Sequence, residues 1–386
     1  MVVLLRNNAW FVSFAQWTGW RLVSAILAAA IAVHFIYFAH VRPALDWDVV
    51  AYTAAILKGG TLMKEGVLDA SALHSATWAA LGPYLTPELL AYMTTGPYRQ
   101  AQYSDPVALM SQLPLFESKY GYVLLLRMVA NVTGPVHAVI LVSLAGALGL
   151  LALLFAKAWH LDGIATLAWL PIVLLFKLSS FASMSTPDSI TAFVATAGFA
   201  LLLSSRIPAA TFLLIGAALL RPDSVILNAI LCLALAARGN YLAAAVLAIG
   251  SVAAYQFNVM MSGHLGWWAQ IHYTFIEIQA DLAGYNPVFT LGQYTTVLRT
   301  QLGEISAQPW AHAGIAVGLL SVILAASTKD AWLSLLLAAI VVGVIVRFPL
   351  YPSAEVRLYA PSLYMMSVLL LYLASRKTST TRTSTA

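Results

Sequence analysis

Charge is scarce in this chain. Only 9% of its 386 residues are Asp, Glu, Lys or Arg, where a soluble protein carries roughly 25%. That shortage excludes an ordinary soluble domain. Cysteine is nearly absent. The single Cys232 excludes an intramolecular disulfide and a cysteine metal cluster. The N-terminus lacks a short apolar core followed by a small-residue cleavage site, so the first span reads as an uncleaved anchor. No internal repeat is evident, and the hydrophobic segments run towards the C-terminus without a soluble module.

What the chain has is apolar surface. Hydrophobic residues make up 61%, and the mean hydropathy is +0.83. These values predict an all-α, polytopic membrane protein embedded in the bilayer. The net charge of +5 does not call for nucleic acid, because much of it sits near span ends, where Lys and Arg set orientation.

A helix needs about 20 apolar residues to cross a bilayer core. Candidate spans are 22–41, 136–156, 161–181, 189–204, 208–220, 224–237, 241–260, 311–327, 331–350 and 358–375. The pair 208–220 and 224–237 is short and reads as a hairpin whose turn, Arg221-Pro222-Asp223, dips below the surface. Such broken elements are tolerated where protein or a water-filled cavity covers the backbone. Residues 119–133 are apolar but short, with Arg127 in the middle. Counted as a span, they would put Arg206, Arg238, Lys329 and Arg376/Lys377 on the opposite side from Arg6 and Arg21. Counted as an interfacial or re-entrant helix, they leave all of these on the cytoplasmic side.

We adopt the second count. It gives ten spans of the plasma (inner) membrane, with both termini cytoplasmic and the site on the outer, periplasmic face. Residues 1–375 then form one transmembrane domain, with a disordered cytoplasmic tail at 376–386. Two large outer loops follow, 42–135 and 261–310. The first begins with a surface helix at 48–58, broken by Gly59-Gly60. The second carries His264, Trp267, Trp268, His272, Glu277 and Asp281. It could line an acceptor groove or rest at the headgroup level, where Trp and Tyr are enriched. The two histidines are too far apart for a compact helical metal pair. Asn131-Val132-Thr133 is a sequon by pattern only.

Asp46 and Asp48 stand just past the first span, in DWDVVAY. Tyr52 lies one turn beyond Asp48 and shares its helix face. A carboxylate at a low-dielectric boundary can serve as a general base. Helix capping explains the same residue equally well. The D-x-D spacing is too short a signal to support a metal. Further ionisable groups fall at outer span ends: Asp188, Arg221, Asp223, Arg347, Glu355 and Arg357. Groups at such depth usually face a cavity or a partner. The guanidinium fork suits a phosphate, and Lys119 and Arg99 could help. Taken singly, Asp188 and Asp223 read as caps and the arginines as snorkelling to headgroups. Taken together on one side, they point to a shared anionic site.

Four segments resemble the GT-C superfamily of membrane glycosyltransferases: DWDVVAY after the first span, PLFESKYGYVLLLRMV, STPDSITAF followed by IGAALLRPDSVIL, and EVRLYAPSLY before the last span. The resemblance covers most of the chain, and its specificity lies in the order and spacing. It implies a GT-C-like bundle and inverting transfer of a hexose or pentose from a polyprenyl-phosphate-linked donor. The acceptor, a glycan, lipid or protein, is left open. It also implies Asp48 as the base, Asp46 as a second acid, and Arg357 near the donor phosphate. Lys119 and Arg221 are weaker candidates for that phosphate, with Tyr52 and Tyr120 as further substrate contacts. No cofactor or metal is expected. The chain departs from better-known members in having Trp47 between its two acids and no large soluble C-terminal domain. The rival reading is a transporter or flippase of a lipid-linked or amphipathic substrate, with the carboxylates coupling protons.

Overall fold

A computed structural model describes residues 16–383 apart from 42, 44, 60–68 and 264. His264 and Gly60 therefore lie outside the described residues. Within them the chain is all-helical, with no strand. Six helices are long and apolar enough to cross a membrane, and the protein is a polytopic helical membrane protein.

The order is α1 (Trp20–Val41), α2 (Trp47–Lys58), α3 (Ala70–Leu81), α4 (Pro87–Thr94), α5 (Pro97–Ser104), α6 (Pro106–Glu117), α7 (Tyr120–Thr133) and α8 (Pro135–Ala158). Then come α9 (Trp169–Leu175), α10 (Leu178–Ser183), α11 (Asp188–Leu203), α12 (Ile207–Leu220), α13 (Ser224–Ala237) and α14 (Tyr241–Ser262). The chain continues with α15 (Trp267–Phe275), α16 (Leu291–Ser306), α17 (Pro309–Thr328), α18 (Ala331–Leu350) and α19 (Val356–Thr383). The spans by length are α1, α8, α14, α17, α18 and residues 356–377 of α19. The last helix thus runs through Arg376 and Lys377, where Arg376 donates to Asp330 at 2.8 Å.

Two expectations need correction. Residues 161–181 do not form one continuous helix. They fold as a 3-10 turn over Gly163–Leu167 followed by α9 and α10. Pro171 has no N–H to extend a ladder, and Lys177 adopts a left-handed φ of 54°. The freed groups find partners. Ser24 donates to the Thr166 carbonyl at 3.0 Å and accepts from the Trp169 indole at 2.8 Å. Second, the helix after Asp46 is not a surface helix: residues 49–56 are all buried, because α3, α6, α7 and α8 pack around it.

The helices α11, α12 and α13 have 16, 14 and 14 residues. At 1.5 Å per residue they reach only about 21–24 Å, short of a ~30 Å core. Their ends must therefore meet polar company inside the fold. Two close approaches fix them. Gly146 of α8 lies flat against the backbone of Ser189 and Ile190, leaving no room for a side chain. Beside it, Ser189 donates to the Ser143 carbonyl at 2.7 Å and Ser143 to the Thr186 carbonyl at 3.2 Å. Gly121, at the start of α7, lies against Leu219 in the same way. Its N–H donates to Asn258 at 2.9 Å, and Asn258 returns a bond to the Leu219 carbonyl at 3.0 Å. These contacts set the start of α11 and the end of α12, where the charged residues begin.

Candidate functional site

One end of the bundle gathers the beginnings of α2, α11, α13 and α19 and the ends of α12 and α18. Seven charged residues meet there in a continuous chain. Arg347 pairs with Asp223 at 2.5 Å. Asp223 also accepts from Arg221 Nε at 2.9 Å, and Arg221 Nη1 is ion-paired with Asp188. Asp188 lies 4.0 Å from Arg357, and Arg357 Nη1 is 3.4 Å from Asp48 Oδ2. Glu355 closes the chain on Arg357 Nε. The sequence-predicted ionisable residues of the span ends are therefore in contact.

Burial decides how to read them. Asp188 is 3% exposed, and the side chains of Arg221 and Arg347 are 13% and 10% exposed. These arginines do not snorkel to solvent. Asp223 precedes α13 but makes no capping bond with its side chain, and Asp46 makes none to α2. Asp188 and Asp223 face cations instead of helix ends, as buried charges must.

Beneath the chain lies a cavity of about 30 Å³, lined by polar Thr191, Asn228 and Ser362 and by Gly343, Leu227 and Pro361. That volume holds about one or two waters. The Thr191 hydroxyl is buried without a partner in the protein, which suits a hydrated floor. Sequence reading missed these residues, although a buried asparagine inside an apolar run was a usable signal.

Lys119, just before α7, faces the same group. Its Nζ reaches only the Leu115 carbonyl at 3.4 Å and the Phe116 ring at 5.8 Å. Among the described residues it has no carboxylate partner. Burial, with Arg221 next, brings its ammonium down to about 8. Tyr52 and Tyr120 are placed otherwise. Tyr52 is 1% exposed and packs its ring against Phe116 and Tyr122, with centroids at 5.5 and 5.0 Å. Tyr120 accepts from Arg127 at 3.0 Å and meets Phe257 edge-on. Arg127 itself caps α2 by donating to the Ala55 carbonyl at 2.7 Å. Arg99 is drawn off to Tyr92, whose carbonyl and hydroxyl each accept from it at 3.0 Å.

The second long loop is strapped across the first. Gln112 donates to the Gln279 carbonyl at 3.0 Å and accepts from Tyr273 at 3.1 Å and Tyr98 at 3.4 Å. Ser111 accepts from the Leu282 N–H at 2.9 Å. Tyr98 in turn packs on Trp47, beside Asp48. Trp267, Trp268, Phe289 and Tyr294 form a separate aromatic group. His272 Nδ1 lies 2.7 Å from the Tyr285 hydroxyl. No cluster of His, Cys, Asp and Glu suited to a metal occurs among the described residues.

Asp46 differs from its neighbour. Burial, and then the negative charge of Asp48, push its carboxyl up from 3.8 to about 7. Between those values the folded chain holds a proton that the unfolded chain has lost. Stability from this group is therefore greatest in acid and falls as pH rises towards about 7. Asp46→Asn cannot titrate, so it should flatten that fall in thermal unfolding followed from about pH 5 to pH 8. An unchanged slope would mean that Asp46 is already ionised in the folded protein.

No family model, curated protein or solved structure matches the chain. The resemblance to GT-C enzymes rests on the sequence segments alone.

Proposed function

We propose that the protein is an inverting glycosyltransferase of GT-C type. It moves one sugar from a polyprenyl-phosphate donor to an acceptor at the outer face of the membrane. The observation that carries this reading is the meeting of Asp48 with Arg357, next to Lys119 and above a chain of buried ion pairs. One carboxylate for an acceptor and several cations for a phosphate are what the reaction needs. In this reading the ten-span topology holds, with the short α12–α13 hairpin and the broken 161–181 segment counted as spans, and the ion chain at the outer end.

The chemistry balances with the chain's own groups. Asp48 accepts the proton of an acceptor hydroxyl while that oxygen bonds to the anomeric carbon. The bond from that carbon to the phosphate oxygen breaks, and its electron pair leaves on the lipid phosphate. Lys119 and Arg357 stabilise the charge that grows there. The products are a glycosylated acceptor, a polyprenyl phosphate and a proton on Asp48. A sugar ring does not fit a cavity of about 30 Å³, so the donor sugar sits outside it, by Asp48 and Trp47.

A transporter would hold its coupling carboxylates near the bilayer midplane. Many transporters are also built from two repeated halves, and no internal repeat is evident in the sequence. The test is single-turnover transfer in oriented sealed vesicles. Polyprenyl-phosphate sugars supplied on the outer face should yield free polyprenyl phosphate and a new glycoconjugate. Movement of intact donor across the bilayer, with no release of polyprenyl phosphate, would sink the enzyme reading.

A further inference from the structure

Every arginine of the site already holds at least one carboxylate, although Arg347 Nε is buried without a partner. Arg221 holds Asp188 and Asp223, Arg347 holds Asp223, and Arg357 holds Glu355 and Asp48. A phosphate that takes Arg357 Nη1 must first displace Asp48. The contacts differ in how firmly they are held. Asp188 is almost fully buried beside Arg221, and releasing it would strand a charge. Glu355 sits two residues from Arg357 at the same helix start and bonds its Nε, so it travels with the arginine. Asp48 comes from a different element, α2. Its 3.4 Å approach is longer than the roughly 2.7–2.9 Å of a firm charge-assisted bond. Its side chain is 28% exposed. It is the carboxylate that a ligand can displace most easily.

We infer that the Asp48–Arg357 contact is a latch that the donor phosphate opens. The latch rests on the glycosyltransferase reading, since it needs both a phosphate and a base. In the resting protein Asp48 Oδ2 faces Arg357 Nη1. That oxygen is turned to the guanidinium and not to an acceptor hydroxyl. An arriving phosphate takes Nη1, with Lys119 as its second cation. Asp48 then swings clear with a free oxygen lone pair. The base is armed only when the donor is in place, so the donor binds before the acceptor. Arg357 is thus a positioning residue for the base as well as a phosphate contact.

The test compares wild type, Asp48→Asn, Arg357→Gln and the double variant in nanodiscs. The probe is a short-chain polyprenyl monophosphate without a sugar, and the control is the same polyprenol without phosphate. Removing the competing carboxylate should tighten polyprenyl phosphate binding by roughly fivefold, the scale of a partly exposed ion pair. The gain should vanish when Arg357 is already Gln, and polyprenol binding should not change. A merely structural pair would weaken binding on removal. Equal or weaker binding by a folded Asp48→Asn overturns the latch and leaves the transferase reading standing. If wild type and Asp48→Asn both fail to prefer the phosphate over the polyprenol, the transferase reading falls and the latch with it. A measurement on the unaltered protein guards against a variant that does not fold. Polyprenyl phosphate should increase labelling of Asp48 by a water-soluble carbodiimide, and no increase would also overturn the latch.

Discussion

Asp48→Asn is expected to lower sugar transfer by about a hundred- to ten-thousandfold, the range associated with losing a general base, while the protein stays folded. The second half of that statement gives the first its meaning. Asp48 sits in the first turn of α2, where a negative charge gains about 0.3–1 kcal/mol from the helix dipole. Its ion pair with Arg357 is more than a quarter exposed on both sides, and such a pair adds at most about 1 kcal/mol. The amide keeps the shape of the carboxylate, and α2 is held by residues 49–56, which are all buried. The unfolding midpoint should therefore move little. Asp46→Asn removes a group that is half neutral near pH 7, so its effect on transfer should be smaller. The measurement is transfer rate per folded molecule at saturating donor. A rate within a few-fold of wild type would remove Asp48 from the role of base.

Much of this end of the molecule was legible in the chain because ionisable groups in an apolar sequence are conspicuous. Asp188, Arg221, Asp223, Arg347 and Arg357 stand out at span ends, and a common membrane side is enough to bring them near one another. Their pairing was not legible. Which acid meets which arginine depends on the depth of α11 and α12, and that depth is set by Gly146 against Ser189 and Gly121 against Leu219. A glycine permits such contacts but does not name the partner. The alternatives of capping and snorkelling failed for the same reason: they treat each helix end alone, whereas six elements share their charges here. Residues 161–181 were misread because hydropathy averages over a window and overlooks the breaks at Pro171 and Lys177. The burial of α2 was hidden in a different way. Its partners lie up to about a hundred residues further along the chain, and only tertiary packing shows that both its faces are covered. The strap from Gln279 to Gln112 spans 167 positions, and nothing local encodes it.

Arg221→Ala is expected to cost about 3–5 kcal/mol of stability, the price of breaking a buried pair and leaving the other charge in place. Arg221 is the link through which the rest of the chain is neutralised. Its Nη1 faces Asp188 and its Nε faces Asp223. Removing it leaves Asp223 with Arg347, but Asp188, 3% exposed, keeps only Arg357 at 4.0 Å. Asp188 is the charge that suffers, because no other close cation reaches it. Arg221→Lys should recover only part of the loss, since an ammonium is one point charge and cannot fork between two carboxylates. The decisive comparison is Arg221→Ala with Arg221→Ala/Asp188→Ala. The second substitution removes the stranded charge, so the double variant should unfold at a higher temperature than the single one, despite having lost more side-chain atoms. Strong coupling of this sign is the mark of two residues that act as a unit. If Arg221→Ala unfolds within about a degree of wild type, or if the two losses simply add, the ion chain is not what holds α11, α12 and α13 together at this end, and their depth is fixed by the glycine contacts alone.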